Sequence, residues 1–163
     1  MKIISALAKF CAILAGVLLT FITMLTCISI LGREFAGKPI TGDFELAGVA
    51  AGAAVALFMP WCQYRKGNII VDFFTSKASN QTNALLDRFG ALTMALMMGV
   101  VAWRTVFGGL NSHDSHSGTM ILGFPEWITY AIMVPPLALT TLIALLQVFC
   151  PNQFDAPAEG EAA

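Results

Sequence analysis

From Leu46 to Tyr64 the chain carries no charged residue, and acids (Asp43, Glu45) and bases (Arg65, Lys66) bracket the run. An apolar segment of that length can cross a bilayer as a helix. Inside it Gly48, Gly52 and Ala56 recur every four residues. Small side chains at this spacing line one helix face and let a second backbone come close. In lipid that matters, because apolar helices gain no hydrophobic advantage from associating there. Gly48, Gly52 and Ala56 are therefore the expected packing seam. The occupant of that seam stays open between another helix of this chain and a partner protein. The bland alternative is that Ala and Gly are simply common in membrane helices.

Three further apolar runs follow the same logic: Phe10 to Leu31, Phe89 to Trp103, and Trp127 to Phe149. A chain that is 57% hydrophobic and 12% charged is not a disordered one and is a poor soluble domain. Its net charge of −1 offers nucleic acid no attraction. The expected fold is an all-α membrane protein over residues 1–151, with transmembrane helices at about 10–31, 44–64, 84–107 and 126–149. The acidic, alanine-rich stretch 152–163 reads as a disordered tail. The first run is longer than the apolar core of a signal peptide and lacks a convincing small-x-small site before Arg33, so it reads as an uncleaved helix. No separate soluble domain is expected.

The connections carry their own signals. Gly37 and Pro39 stop the first helix. Asp43 and Glu45 suit the positive end of the second. Pro60 is expected to kink its last turns, and Pro135-Pro136 to bend the fourth helix. Between the second and third helices, Ile69, Ile70, Phe73 and Phe74 alternate with Asn68, Asp72 and Lys77 at helical spacing. A short amphipathic helix on the membrane surface fits that pattern, with an ordered loop as the alternative. The third run is too short to span on its own. Its helix must pass its flanking Arg88 and Arg104, whose guanidinium groups then snorkel outward. Gly108 to Gly118 reads as a loop by composition.

Charges gather at two levels. Arg33, Glu34, Asp43, Glu45, Arg104 and Glu126 fall at one surface, and Arg65, Lys66, Asp72, Asp87 and Arg88 at the other. As exposed anchors or local ion pairs they contribute about 0–1 kcal/mol each. Trp61, Trp103 and Trp127, with Tyr64 and Tyr130, fall near the expected helix ends, the depth amphipathic rings prefer. Six Lys and Arg lie at the N-terminus and in the 65–88 connection, against three (Arg33, Lys38, Arg104) on the opposite side. The bias puts both termini in the cytoplasm.

Little here suggests chemistry. His113 and His116 are the only histidines, and both fall in the expected outer loop. No titratable group is expected near the middle of a span. A haem bundle wants histidines within its helices, and a proton-coupled exporter wants an intramembrane carboxylate. Cys11, Cys27, Cys62 and Cys150 show no CxxC spacing and read as small apolar residues. No cofactor or metal is expected, and the pattern fits a scaffold or subunit better than an enzyme.

Several segments taken together resemble the DctQ-like family, the small integral-membrane subunits of tripartite ATP-independent periplasmic (TRAP) transporters. They are Arg33-Glu34-Phe35 with Pro39-Ile40-Thr41-Gly42 and Glu45-Leu46, then Gly67-Asn68-Ile69-Ile70-Val71-Asp72, then Leu122 to Tyr130. The family often has His where Asn68 stands. The resemblance implies a large permease subunit that carries the substrate and Na⁺ sites and moves as an elevator. It also implies a periplasmic binding protein that delivers an organic-acid anion. The small subunit would then be a scaffold in the bacterial inner membrane, in contact with membrane lipids. A free-standing tetraspan exporter or channel, or the membrane anchor of a redox complex, is the alternative. The first would need a polar pathway and the second cofactor ligands in its helices.

Overall fold

The computed structural model describes residues 2–37, 40–67 and 80–149. They form four α-helices: α1 (Lys2–Ala36), α2 (Asp43–Tyr64), α3 (Asn80–Asp114) and α4 (Glu126–Phe149). All four are long and apolar enough to cross a membrane. The chain is thus a multi-pass, all-α membrane protein. The surface helix expected around 69–77 and the tail 152–163 lie outside the described residues.

Two helices are longer than their apolar cores. The run 10–31 is the middle of α1, which ends at Gly37 with φ 65°, a left-handed residue that glycine adopts without a Cβ clash. The buried residues of α1 are Ala8, Ala15, Ile22 and Ser29. They repeat every seven residues, the period that keeps one seam facing a neighbour in left-handed helix packing. On α2 the buried set is Ala53, Ala54, Ala56, Pro60 and Gln63. The helix continues through Pro60, and α4 continues through Pro135 and Pro136.

The loop expected over 108–118 is not one. α3 runs on to Asp114, and only the residues after it turn. The reason lies in packing. A Cβ on Gly108 would stand 3.3 Å from the Tyr130 ring, and one on Gly109 would stand 3.0 Å from the Tyr130 Cβ. These glycines serve the close approach of two helices, as small residues do in membranes, and not a turn.

In space the order is α1, α2, α4, α3. α2 and α4 are the inner members, and α1 and α3 form the two edges. α1 packs on α2, α2 on α4, and α4 on α3, while α1 touches α4 only lightly. The result is an open row rather than a closed bundle. Buried residues of α4 (Pro136, Leu137, Thr140, Ile143, Ala144 and Gln147) serve its two neighbours.

Candidate functional site

Polar side chains fasten the row at its two ends. At the end holding the start of α2, the buried Ser29 hydroxyl donates to Asp43 Oδ2, and the Ile40 N–H donates to Ser29 Oγ at 3.2 Å. This ties α1, the connection and α2 together. Gly42 has φ 80°, and a Cβ there would overlap the Leu122 side chain, so only glycine fits under the α3–α4 turn.

Glu45 reaches the same turn. Its Oε1 accepts the Ile121 N–H at 2.8 Å and its Oε2 accepts the Leu122 N–H at 3.0 Å. The turn is braced internally. The Thr119 N–H donates to Phe124 O, the Gly123 N–H to Thr119 O, and the Phe124 N–H to Thr119 Oγ1. Glu45 therefore holds a preformed turn with both oxygens, and the turn presents Met120 fully exposed at its tip. Beside it, the His113 ring meets Trp127 edge-on at 5.7 Å.

At the opposite end, Gln63 and Gln147 lock α2 to α4. Gln63 Nε2 donates to Gln147 Oε1 at 2.6 Å, and Gln147 Nε2 donates to the Gln63 main-chain oxygen at 2.8 Å. Both are buried. Trp61 stacks on Tyr64 with ring centroids 5.9 Å apart, and the Arg65 guanidinium sits 5.5 Å over Trp61. A cation over an aromatic face and an amphipathic ring pair suit the border between apolar and wet surroundings.

Between the ends the exposed side chains are mostly apolar. α3 packs on α4, leaving Leu96, Met97, Val100 and Phe107 exposed on its far side. A family model, that of the DctQ component of tripartite ATP-independent periplasmic transporters, matches residues 22–153. The chain belongs to this family. It is a TRAP small permease component, part of a tripartite system. No curated protein and no solved structure matches it.

In this DctQ chain the expected seam divides. Ala56 is 2% exposed and packs inside the row. Gly48 and Gly52 face open space, with no atom within 4 Å of where a Cβ would stand. Four residues advance a helix about 40° beyond a full turn, so a stripe with that spacing winds away from any fixed contact. Ala56 is thus covered by its own chain, while a side chain at Gly48 or Gly52 would meet open space.

The other expected residues also divide. Arg33 lies exposed in the last turn of α1, and Glu126 in the first turn of α4, where its N–H donates to Ser117 O at 3.2 Å. Trp127 and Trp61 stand at helix ends. Asp72 is outside the described residues. Trp103 and Arg104, expected near a helix end, are exposed and lie within α3, because the helix continues for ten residues past Arg104. Sequence reasoning missed the two glutamines and the seven-residue seam of α1. The recurrence of Ala8, Ala15, Ile22 and Ser29 was the available signal for the seam. The glutamines were legible only as the amides nearest the ends of two spans.

Proposed function

We propose that this DctQ chain is the stationary membrane scaffold of a Na⁺-driven importer. The large permease subunit carries and moves the substrate, an organic-acid anion that a periplasmic binding protein delivers. The family match over 22–153 is the observation that carries this reading. The architecture supports it. Both ends of the row are pinned by side-chain hydrogen bonds, and the spans between them expose broad apolar faces. A body fixed at both ends gives a moving neighbour something to move against. On the same reading Gly48 and Gly52 offer a close-packing surface to the large subunit. Arg33, Glu45, Arg65, Asp72, Glu126, Trp61 and Trp127 set the depth of the row.

The Lys and Arg bias supports an inner-membrane placement with both termini cytoplasmic and the Glu45-held turn periplasmic. Single-cysteine variants at Ser115 and Asp87 test it. Ser115→Cys should react with an impermeant reagent in intact cells and Asp87→Cys should not, and the reverse pattern inverts the topology. For the role itself, the chain is reconstituted alone and with its large subunit and binding protein. Uptake under a Na⁺ gradient should appear only with all three. Uptake by the lone chain refutes the scaffold reading.

A further inference from the structure

Arg104 stands where a lipid-facing helix should hold no charge. Its depth follows from the pairing of α3 with α4. His113 meets Trp127, Gly109 meets Tyr130, and Gly99 meets Thr141, so the two helices run antiparallel in a fixed register. Thr105 and Val106 share a groove with Val134 and Pro135. Arg104 is therefore level with Pro135 and Pro136. It lies nine residues before His113, about 13 Å below the His113–Trp127 contact at the end of the row. With the His113–Trp127 contact taken as the border of a hydrocarbon core about 30 Å thick, that level lies well inside it. An extended arginine is shorter than two turns of helix and cannot carry its guanidinium from there to the surface by snorkelling alone.

The side chain is also unpartnered. Arg104 is exposed and makes no hydrogen bond or ion pair among the described residues. Among the described residues no acid lies at this depth, since 2–31, 46–64 and 127–149 contain no Asp or Glu. By helical spacing Arg104 shares the exposed face of α3 with Leu96, Met97, Val100 and Phe107. Next to it Trp103, 65% exposed, has an indole N–H with no acceptor among the described residues. Intramembrane cations are rare, face protein or water rather than lipid, and pair with carboxylates or carbonyls. Two adjacent donors without acceptors among the described residues, beside the exposed apolar side chains 96–107 of α3, thus describe half of a contact.

We infer that the outer face of α3, centred on Arg104, docks against a membrane-embedded helix that carries a carboxylate at the same depth. The partner is the large permease subunit, so the inference rests on the functional reading given above. The carboxylate neutralises Arg104 in a bidentate pair, the geometry that suits guanidinium. Trp103 and Phe107 flank the pair and keep lipid from it. A lipid phosphate suits the site less well, because it lies at the surface, about 13 Å higher along α3.

The test uses the complete three-component complex in native-lipid membranes. Tagged wild-type, Arg104→Leu, Arg104→Lys and Arg88→Leu chains are each co-expressed with the large subunit and affinity-purified. Arg104→Leu should lower recovery of the large subunit at least tenfold, while the lone variant stays monodisperse. Arg104→Lys should recover part of it, and Arg88→Leu should behave as wild type. Wild-type recovery by Arg104→Leu overturns the inference. A wild-type chain that fails to retain the large subunit sinks the functional reading itself. Should Arg104→Leu not fold, photo-crosslinking from p-benzoylphenylalanine in place of Phe107 decides. An adduct with the large subunit supports the contact, and adducts with lipid alone overturn it. Loss of wild-type recovery on exchange from phosphatidylglycerol-containing to phosphatidylcholine nanodiscs would assign Arg104 to a lipid headgroup and also overturn it.

Discussion

Replacing Gln147 by Leu should weaken the joint between α2 and α4 by an amount the structure allows to be estimated. The substitution removes two hydrogen bonds, one at 2.6 Å to the Gln63 amide and one at 2.8 Å to the Gln63 carbonyl. Interhelical hydrogen bonds in membranes average about 0.6 kcal/mol and reach about 1.7. Two of them give about 1–3 kcal/mol. Leucine restores some apolar contact, which places the expected cost in the lower half of that range. The carbonyl of Gln63 keeps the Lys66 N–H at 3.1 Å, so its loss is partial. The Gln63 amide loses its 2.6 Å bond to Gln147 while remaining buried, which adds to the cost. Gln63→Leu in the same background removes the amide as well. The double variant should therefore be more stable than the sum of the single effects by about 0.5–1.5 kcal/mol, as expected for residues in direct contact. Reversible unfolding of the lone chain in mixed micelles, titrated with a denaturing detergent, measures all four corners of the cycle. Single effects near zero, or strict additivity, would refute the argument that these amides hold the helices together.

Three other outcomes follow from the geometry. Ala15→Leu should destabilise the lone chain by about 1–3 kcal/mol, because Ala15 is fully buried in the α1 seam and overpacking has no room to relax; Ala6→Leu, on the exposed side, should not, and the same micelle titration compares them. Glu45→Gln should loosen the turn over 119–124, since it replaces one of the two accepting oxygens by an NH2 donor facing an N–H; faster hydrogen exchange at Ile121 and Leu122 with α4 unchanged is the expected result. Gly52→Leu should leave the lone chain folded, because nothing lies within 4 Å of the new Cβ, and should impair co-purification with the large subunit; an effect on lone-chain stability would contradict the open surface seen there.

The four spans were legible because apolar length and bracketing charge dictate them directly. The helix starts at Asp43 and Glu126 were legible for the same reason: acids, glycine and proline mark them. The far end of α3 was not. Gly108, Gly109, Asn111 and Ser112 have the composition of a loop, and only the Tyr130 side chain against the glycines explains their helical state. That single misreading moved Trp103 and Arg104 to a helix end. Ala56 was separated from Gly48 and Gly52 by helical winding, which a list of small residues at equal spacing conceals. The pairing of Gln63 with Gln147 links positions far apart in the chain, and sequence alone carries no register between α2 and α4.

Among the described residues, an open row one helix thick has no interior beyond its three seams. Every span meets a neighbour along a narrow stripe and shows the rest of its circumference to whatever surrounds it. Val17, Val55, Val100 and Leu142 are all exposed in this way although each lies mid-span. Selection on such positions can act without disturbing the fold. A lineage that acquires a different large subunit can rewrite one broad face while the seam residues Ala15, Ala53, Ile143 and Gln147 stay as they are. Sequence divergence in this chain should then be two-speed, slow along the stripes and fast across the faces, except where a face is held by the partner it has already chosen.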